Sequence, residues 1–151
     1  MLIVEVVSQN TFPVEILPLE NDDNTSKKHY FFDWKEEAGY EVYKLVHAGT
    51  NDILGLMSLE RIPQEWRIHI RLLTVSVENR GVAKKFDKIA GNLISFAARI
   101  ALEEYGVLAC VSLRPKTEIV AHYVSKYKMK VAGMSLSLEV PELLDVINAY
   151  E

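Results

Sequence analysis

The chain predicts an α+β (α/β three-layer) fold: a mixed, mostly antiparallel sheet with helices flanking it. Three observations carry that prediction. Tyr40 to His47 (YEVYKLVH) and Ile53 to Leu59 (ILGLMSL) are extended apolar runs joined by the turn residues Gly49-Thr50-Asn51-Asp52, the pattern of a hairpin. Ile68 to Leu113 then reads as strand, loop, helix, strand. Finally, 151 residues at 49% hydrophobic and 25% charged, without repeats or a second apolar centre, suit one domain over 1–151 with a core of its own.

Taken in order, MLIVEVVSQN is a first strand, and Phe12 to Leu19 is a second extended piece broken by Pro13 and Pro18. The opening lacks a basic start and carries Glu5 inside its apolar run, so it reads as the strand of a cytoplasmic protein rather than a leader or a membrane anchor. Asn21 to Lys28 (NDDNTSKK) is a polar loop and the expected mobile region. In the hairpin, Tyr40, Val42, Lys44 and Val46 share a face; Pro63 and Gln64 mark the next turn, and Trp66 begins the strand entering the central unit.

That strand changes phase. Ile68, Ile70 and Leu72 share one face, whereas Leu73, Val75 and Val77 occupy the other. Either a β-bulge near Leu72 and Leu73 restores both sets to one side, or the second half is buried on both faces. The helix after the loop is sized by its own pattern: Ile89, Leu93, Phe96, Ala97 and Ile100 recur at helical spacing, and Asn92, Ser95, Arg99 and Glu103 form a narrow polar stripe expected to face water. Tyr105-Gly106 closes it, and Val107 to Leu113 reads as a buried strand. Beyond lie a helix from Thr117, its N-cap, to Tyr127, a strand from about Met129, another from Met134 to Val140, and a helix begun by Pro141. Leu143, Leu144 and Ile147 give this last helix an apolar side that could cover a sheet edge or dock on a second subunit in a homodimer.

The loop before the long helix is where chemistry can occur. A helix start has free N–H groups and a positive dipole end suited to phosphate, and here Lys84, Lys85 and Lys88 surround it while Ala90 and Gly91 leave room for an anion against the backbone. A solvated lysine cluster at a helix start would show the same letters.

This stretch resembles the GNAT superfamily of N-acetyltransferases, whose pyrophosphate loop reads Arg/Gln-x-x-Gly-x-Gly/Ala at the start of a helix. Two placements exist. Glu78-Asn79-Arg80-Gly81-Val82-Ala83 matches better by letter but demands a very long helix; Lys85-Phe86-Asp87-Lys88-Ile89-Ala90 leaves an ordinary one and is preferred, with Lys85 in the Arg/Gln place and Lys88 in the first Gly place. His122-Tyr123-Val124-Ser125-Lys126-Tyr127-Lys128-Met129 resembles a second family motif, having its Tyr but lacking its Gly-Phe. The resemblance spans Tyr40 to Gly133, and the two amphipathic helices that commonly follow the family's first strand have no counterpart before Tyr30.

The resemblance implies a GNAT-like sheet with a bulged central strand splayed from its neighbour, and direct transfer of an acetyl group from acetyl-CoA to an amine. It places the pyrophosphate of CoA on Lys84, Lys85, Phe86, Asp87, Lys88, Ile89, Ala90, Gly91 and Asn92, and the pantetheine arm against backbone near Val75 and Val77 in the manner of an added strand. Glu78 is then the first candidate base, His69 the second, and Tyr123 the acid for the departing thiolate; a strand-end carboxylate, an ordinary histidine and a packed aromatic are the plain structural roles of the same residues. The amine acceptor, a small molecule or a protein, is not named by any motif. A non-catalytic acyl-CoA-binding or regulatory module of the same fold is the alternative.

Other classes are disfavoured. A net charge of −4 argues against nucleic-acid binding, and His29, His47, His69 and His122 lack ligand spacing, so no metal is expected. Cys110 stands alone in an apolar run, the setting of a buried and unreactive thiol.

Overall fold

The computed structural model describes residues 1–114, 120–132 and 135–150. Its strands are β1 (Leu2–Glu5), β2 (Thr11–Pro18), β3 (Glu41–His47), β4 (Ile53–Ile62), β5 (Arg67–Val75), β6 (Phe86–Asp87), β7 (Cys110–Leu113), β8 (Lys130–Ala132) and β9 (Ser135–Glu139). The helices are α1 (Lys27–Tyr30), α2 (Ile89–Tyr105), α3 (Val120–Tyr127) and α4 (Val140–Tyr150), with short 3-10 turns at Trp34–Glu37, Pro63–Glu65, Val77–Asn79 and Gly106–Leu108. The strands form one mixed sheet in the order β6-β1-β2-β3-β4-β5-β7-β9-β8. β5 and β7 pair in parallel, while β1 with β2, β1 with β6, β2 with β3, β7 with β9 and β8 with β9 are antiparallel.

The chain divides into two compact units, and β4, β5 and α2 contribute to both. The first holds Met1–Ser58, Leu72–Leu93 and Tyr150. Its core gathers Tyr30, Trp34, Val46, Ile53 and Leu56, with Leu19, Phe32, Val42 and Leu72 packed around them. Burial of large side chains of this kind stabilises by roughly 1.5–3 kcal/mol each. The polar atoms of its two aromatic centres are satisfied: the Tyr30 hydroxyl donates to the Ile53 carbonyl at 2.9 Å and the Trp34 indole to the Tyr30 carbonyl at 3.0 Å. Gly55 lets α2 lie against β4, since a Cβ there would meet Ile89 Cγ2 at 2.8 Å and Leu93 Cδ1 at 3.1 Å. The start of α2 is therefore seated by its own apolar face.

The second unit holds Leu59–Arg71 and Ile94–Ala149. Ile68, Ile70, Val111, Leu113, Leu136 and Leu138 are buried across its strands, and Leu143, Val146 and Ile147 form the buried side of α4. Among the described residues no helix is long and apolar enough to cross a membrane, and no cluster of His, Cys, Asp and Glu could hold a metal ion.

Several local expectations are corrected. β2 runs unbroken through Pro13, because Pro13 pairs with Leu2 of β1 and the β3 register begins one residue later, at Val14. Within the polar stretch 21–28, Asp23 meets Lys44, only 8% exposed, whose ammonium lies 2.7 and 2.9 Å from the two Asp23 oxygens, and Lys27 and Lys28 open α1. Asn92 and Ser95 of the supposed water-facing stripe are fully buried. Val107 and Leu108 belong to a 3-10 turn, 85% and 56% exposed, so β7 begins only at Cys110. In β5 the buried residues Ile68, Ile70 and Thr74 keep one parity, which continues to the buried Ser76, while Leu73 and Val75 are half-buried on the other and Val77 is exposed in the turn that follows.

Candidate functional site at the start of α2

The segment between β5 and α2 is held in place at every few residues, all within the first unit. The buried Asn79 side chain donates to Ser76 Oγ at 2.8 Å and accepts the Phe86 N–H at 2.9 Å. Lys85 donates its N–H to the Glu78 carbonyl at 3.1 Å and receives the Val6 N–H on its own carbonyl at 2.9 Å. Phe86 and Asp87 then pair with Glu5 and Val4 as β6. The Phe86 ring lies against Phe12 and His47, with centroids 5.9 and 6.3 Å away. Arg80 sends its guanidinium over the Phe31 ring at 3.7 Å. A loop tied in this way presents its backbone in one arrangement, which is what an anion cradle requires.

At its end Lys88 has φ of 76°, the left-handed region. α2 begins one residue later, and its first intrahelical bond runs from the Asn92 N–H to the Lys88 carbonyl at 3.1 Å. The N–H groups of Ile89, Ala90 and Gly91 thus precede that bond, at the positive end of a 17-residue helix. A helix start at Ile89 is what the second placement of the loop motif needs, and the left-handed turn falls on the place where the pattern carries its first glycine. Lysine holds a conformation that glycine takes without cost.

Two features narrow this site. Asp87 Oδ1 accepts the Lys88 N–H at 2.8 Å and lies 3.0 Å from Lys84 Nζ, so a carboxylate neutralised by a lysine already sits at the helix start. Gly91 is not open to solvent: a Cβ there would fall 2.0 Å from Tyr150 Cζ and 2.4 Å from its hydroxyl oxygen. Lys85 and Lys88 are exposed, whereas Asn92 turns inward and donates to the Leu2 and Lys88 carbonyls at 2.8 Å each.

At the end of β5, Ser76 donates its N–H to the Leu54 carbonyl of β4 at 2.9 Å. Backbone groups alternate along a strand, so those of Val75 are directed away from β4. Pairing with β7 covers only Arg67 to Ile70. Val77 and Glu78 lie in the 3-10 turn that follows and are exposed. Glu78 and the burial of Tyr30 act together on that phenol: burial first, then the charges of Glu78, Asp52 and Asp23, raise its pKa.

Tyr123 belongs to the second unit, on α3, half-buried between His122 and the buried Tyr127, with ring centroids 5.7 and 5.8 Å away. Thr117 and Ile119 lie outside the described residues. In the same unit His69 Nδ1 is 2.8 Å from Ser112 Oγ, which also accepts from Arg67 Nη1 at 2.8 Å. Burial, then the Arg67 charge, lowers the His69 pKa, which favours the neutral ring. Cys110 is half-buried, and burial raises its thiol pKa, the opposite of an activated nucleophile.

Gly55, Asn79 and Tyr150 were missed from sequence. Each acts through a partner remote along the chain or through a loop hydrogen bond, and neither leaves a periodic signal.

No family model and no curated protein matches the sequence. Solved structures do match the fold. A GNAT family acetyltransferase from Elizabethkingia anophelis with acetyl-CoA bound superposes with a TM-score of 0.63 at 12% identity, covering 84% of this chain and 98% of that one. The ribosomal-protein-S18-alanine N-acetyltransferase from Escherichia coli gives 0.62 at 11% identity, over 85% and 94%. A variant of the AtaT toxin bound to the C-terminus of the antitoxin AtaR and acetyl-CoA gives 0.58 at 14% identity, over 86% and 95%. With its mixed sheet, left-handed loop end and long central helix, the chain has the GNAT acetyltransferase fold.

Proposed function

We propose that this protein transfers an acetyl group from acetyl-CoA to an amine, with the CoA pyrophosphate held at the start of α2. The observation that carries the reading is the left-handed Lys88 delivering the N–H groups of Ile89, Ala90 and Gly91 at a helix start flanked by Lys84 and Lys85. The neighbours that carry acetyl-CoA in the same fold support it.

Acetyl-CoA supplies a thioester carbonyl carbon. The acceptor nitrogen, once it has lost a proton, attacks that carbon; the new C–N bond forms as the C–S bond breaks. Glu78, exposed in the turn after β5, takes that proton directly or through water; Tyr123 gives one to the departing sulfur and is restored by the proton that the acetylated nitrogen then sheds. Backbone groups at Val75 and Val77 hold the pantetheine arm and polarise the carbonyl. Lys84, Lys85 and Lys88 offset the diphosphate charge, while Phe86 and Asp87 act by fixing the loop.

A non-catalytic acyl-CoA-binding or regulatory module is the second reading, favoured by the Asp87 carboxylate at the helix start and by the lysine in the glycine place. Release of free thiol from acetyl-CoA in the presence of a panel of amines and peptides separates the two. In a responsive assay Tyr123→Phe should lower kcat by roughly ten- to a thousandfold, with cofactor affinity within a few fold. An unchanged kcat leaves Tyr123 a packing residue.

A further inference from the structure

We infer that Tyr150 is a gate on the α2 site, seated on Gly91 in this structure and displaced when CoA binds; the inference rests on the cofactor reading above. A helical Cβ tilts toward the helix N-terminus, so the vacant Cβ position of Gly91 lies over the turn that carries the free N–H groups. Tyr150 Cζ and Cε1 stand 2.0 and 2.1 Å from that position and the hydroxyl oxygen 2.4 Å from it. The phenol ring thus fills the notch through which a diphosphate would reach the first turn. Both residues belong to the first unit, and Tyr150 is half-buried. Glycine at 91 is needed for the closed arrangement, because any larger residue would push the ring away. The gate makes apparent affinity depend on the fraction of molecules in which Tyr150 has left its seat.

Calorimetric titration of CoA into the parent, Tyr150→Ala and Tyr150→Phe tests this. Removing the ring should tighten CoA binding roughly five- to thirtyfold, since the open state no longer has to be selected, whereas Tyr150→Phe keeps the plug and stays within about twofold of the parent. Hydrogen exchange on the unaltered protein adds a readout independent of any variant: saturating CoA should speed exchange at residues 147–150, where a bound ligand otherwise slows it. Equal affinity in the parent and Tyr150→Ala, or slower exchange there with CoA, overturns the gate alone. Weaker binding by Tyr150→Ala also overturns it, making the ring a wall of the site. Silence of all three proteins at millimolar CoA removes the cofactor reading itself.

Discussion

Lys88 carries a conformation that costs a lysine about 1–2 kcal/mol and a glycine almost nothing. Lys88→Gly should therefore raise the melting temperature by roughly 2–4 °C, after allowance for the more flexible unfolded chain, while the loss of one of the three lysine charges weakens CoA binding by about a few fold. A fall in stability would show that the lysine side chain earns its place through contacts. Gly91 leads to the opposite expectation. The letters alone suggest a small residue making way for an anion, but its Cβ position is taken by Tyr150. Gly91→Val should thus destabilise by about 1–3 kcal/mol through overpacking, seen as a lowered unfolding midpoint before any effect on ligand. A midpoint unchanged in that variant would mean the ring swings away freely.

At the scale of elements, the sequence is most readable where periodicity meets a backbone signal. α2 starts at Ile89 and is followed by a left-handed Gly106, as apolar spacing and the glycine foretold. The hairpin of β3 and β4 follows from its turn residues. The two-residue β6 has too few positions for a period, so its pairing with β1, which fixes the loop, could not be read. Asn92 reads as solvent-facing because amides usually are; inside, two backbone carbonyls accept from its amide nitrogen, while its Oδ1 is buried without a hydrogen-bond partner among the described residues. In the charged stretch 21–28, Asp23 meets an inward-facing Lys44 from β3, a pairing that no local pattern announces. Burial raises the Asp23 pKa, yet the Lys44 hydrogen bonds, the Glu20 N–H and the Lys44 charge outweigh it, leaving the group below its ordinary 3.8. A depressed carboxyl adds stability that is present above the ordinary value and lost as pH falls through the folded one. Asp23→Asn should lower stability at pH 7, by roughly 1–3 kcal/mol for a hydrogen-bonded charged group in denaturant unfolding, with the difference from the parent closing as pH drops below about 4. A gap that stays constant across that range would exclude the ion pair as its source.

For the whole molecule, fold and chemistry were legible to different depths. Sheet and helix order come from patterns repeated over many residues, and the fold survives substitution, as 11–14% identity at TM-scores of 0.58 to 0.63 illustrates. The site depends on a few residues whose partners are distant in sequence: Gly55 seats α2, Asn79 holds the loop and Tyr150 covers Gly91. Glu78 and Tyr123 fall in different units, and turnover is the measurement that tests the pairing proposed for them. Thermal unfolding with added acetyl-CoA tests whether the start of α2 receives CoA as proposed. A ligand that binds only the folded chain stabilises by about 2.7 kcal/mol at a hundredfold excess over its Kd, which for this length is a rise of roughly 5–10 °C. A rise that saturates with acetyl-CoA and is reduced by charge removal at Lys84 and Lys85 is the predicted result; an unfolding temperature that does not move up to millimolar acetyl-CoA contradicts it.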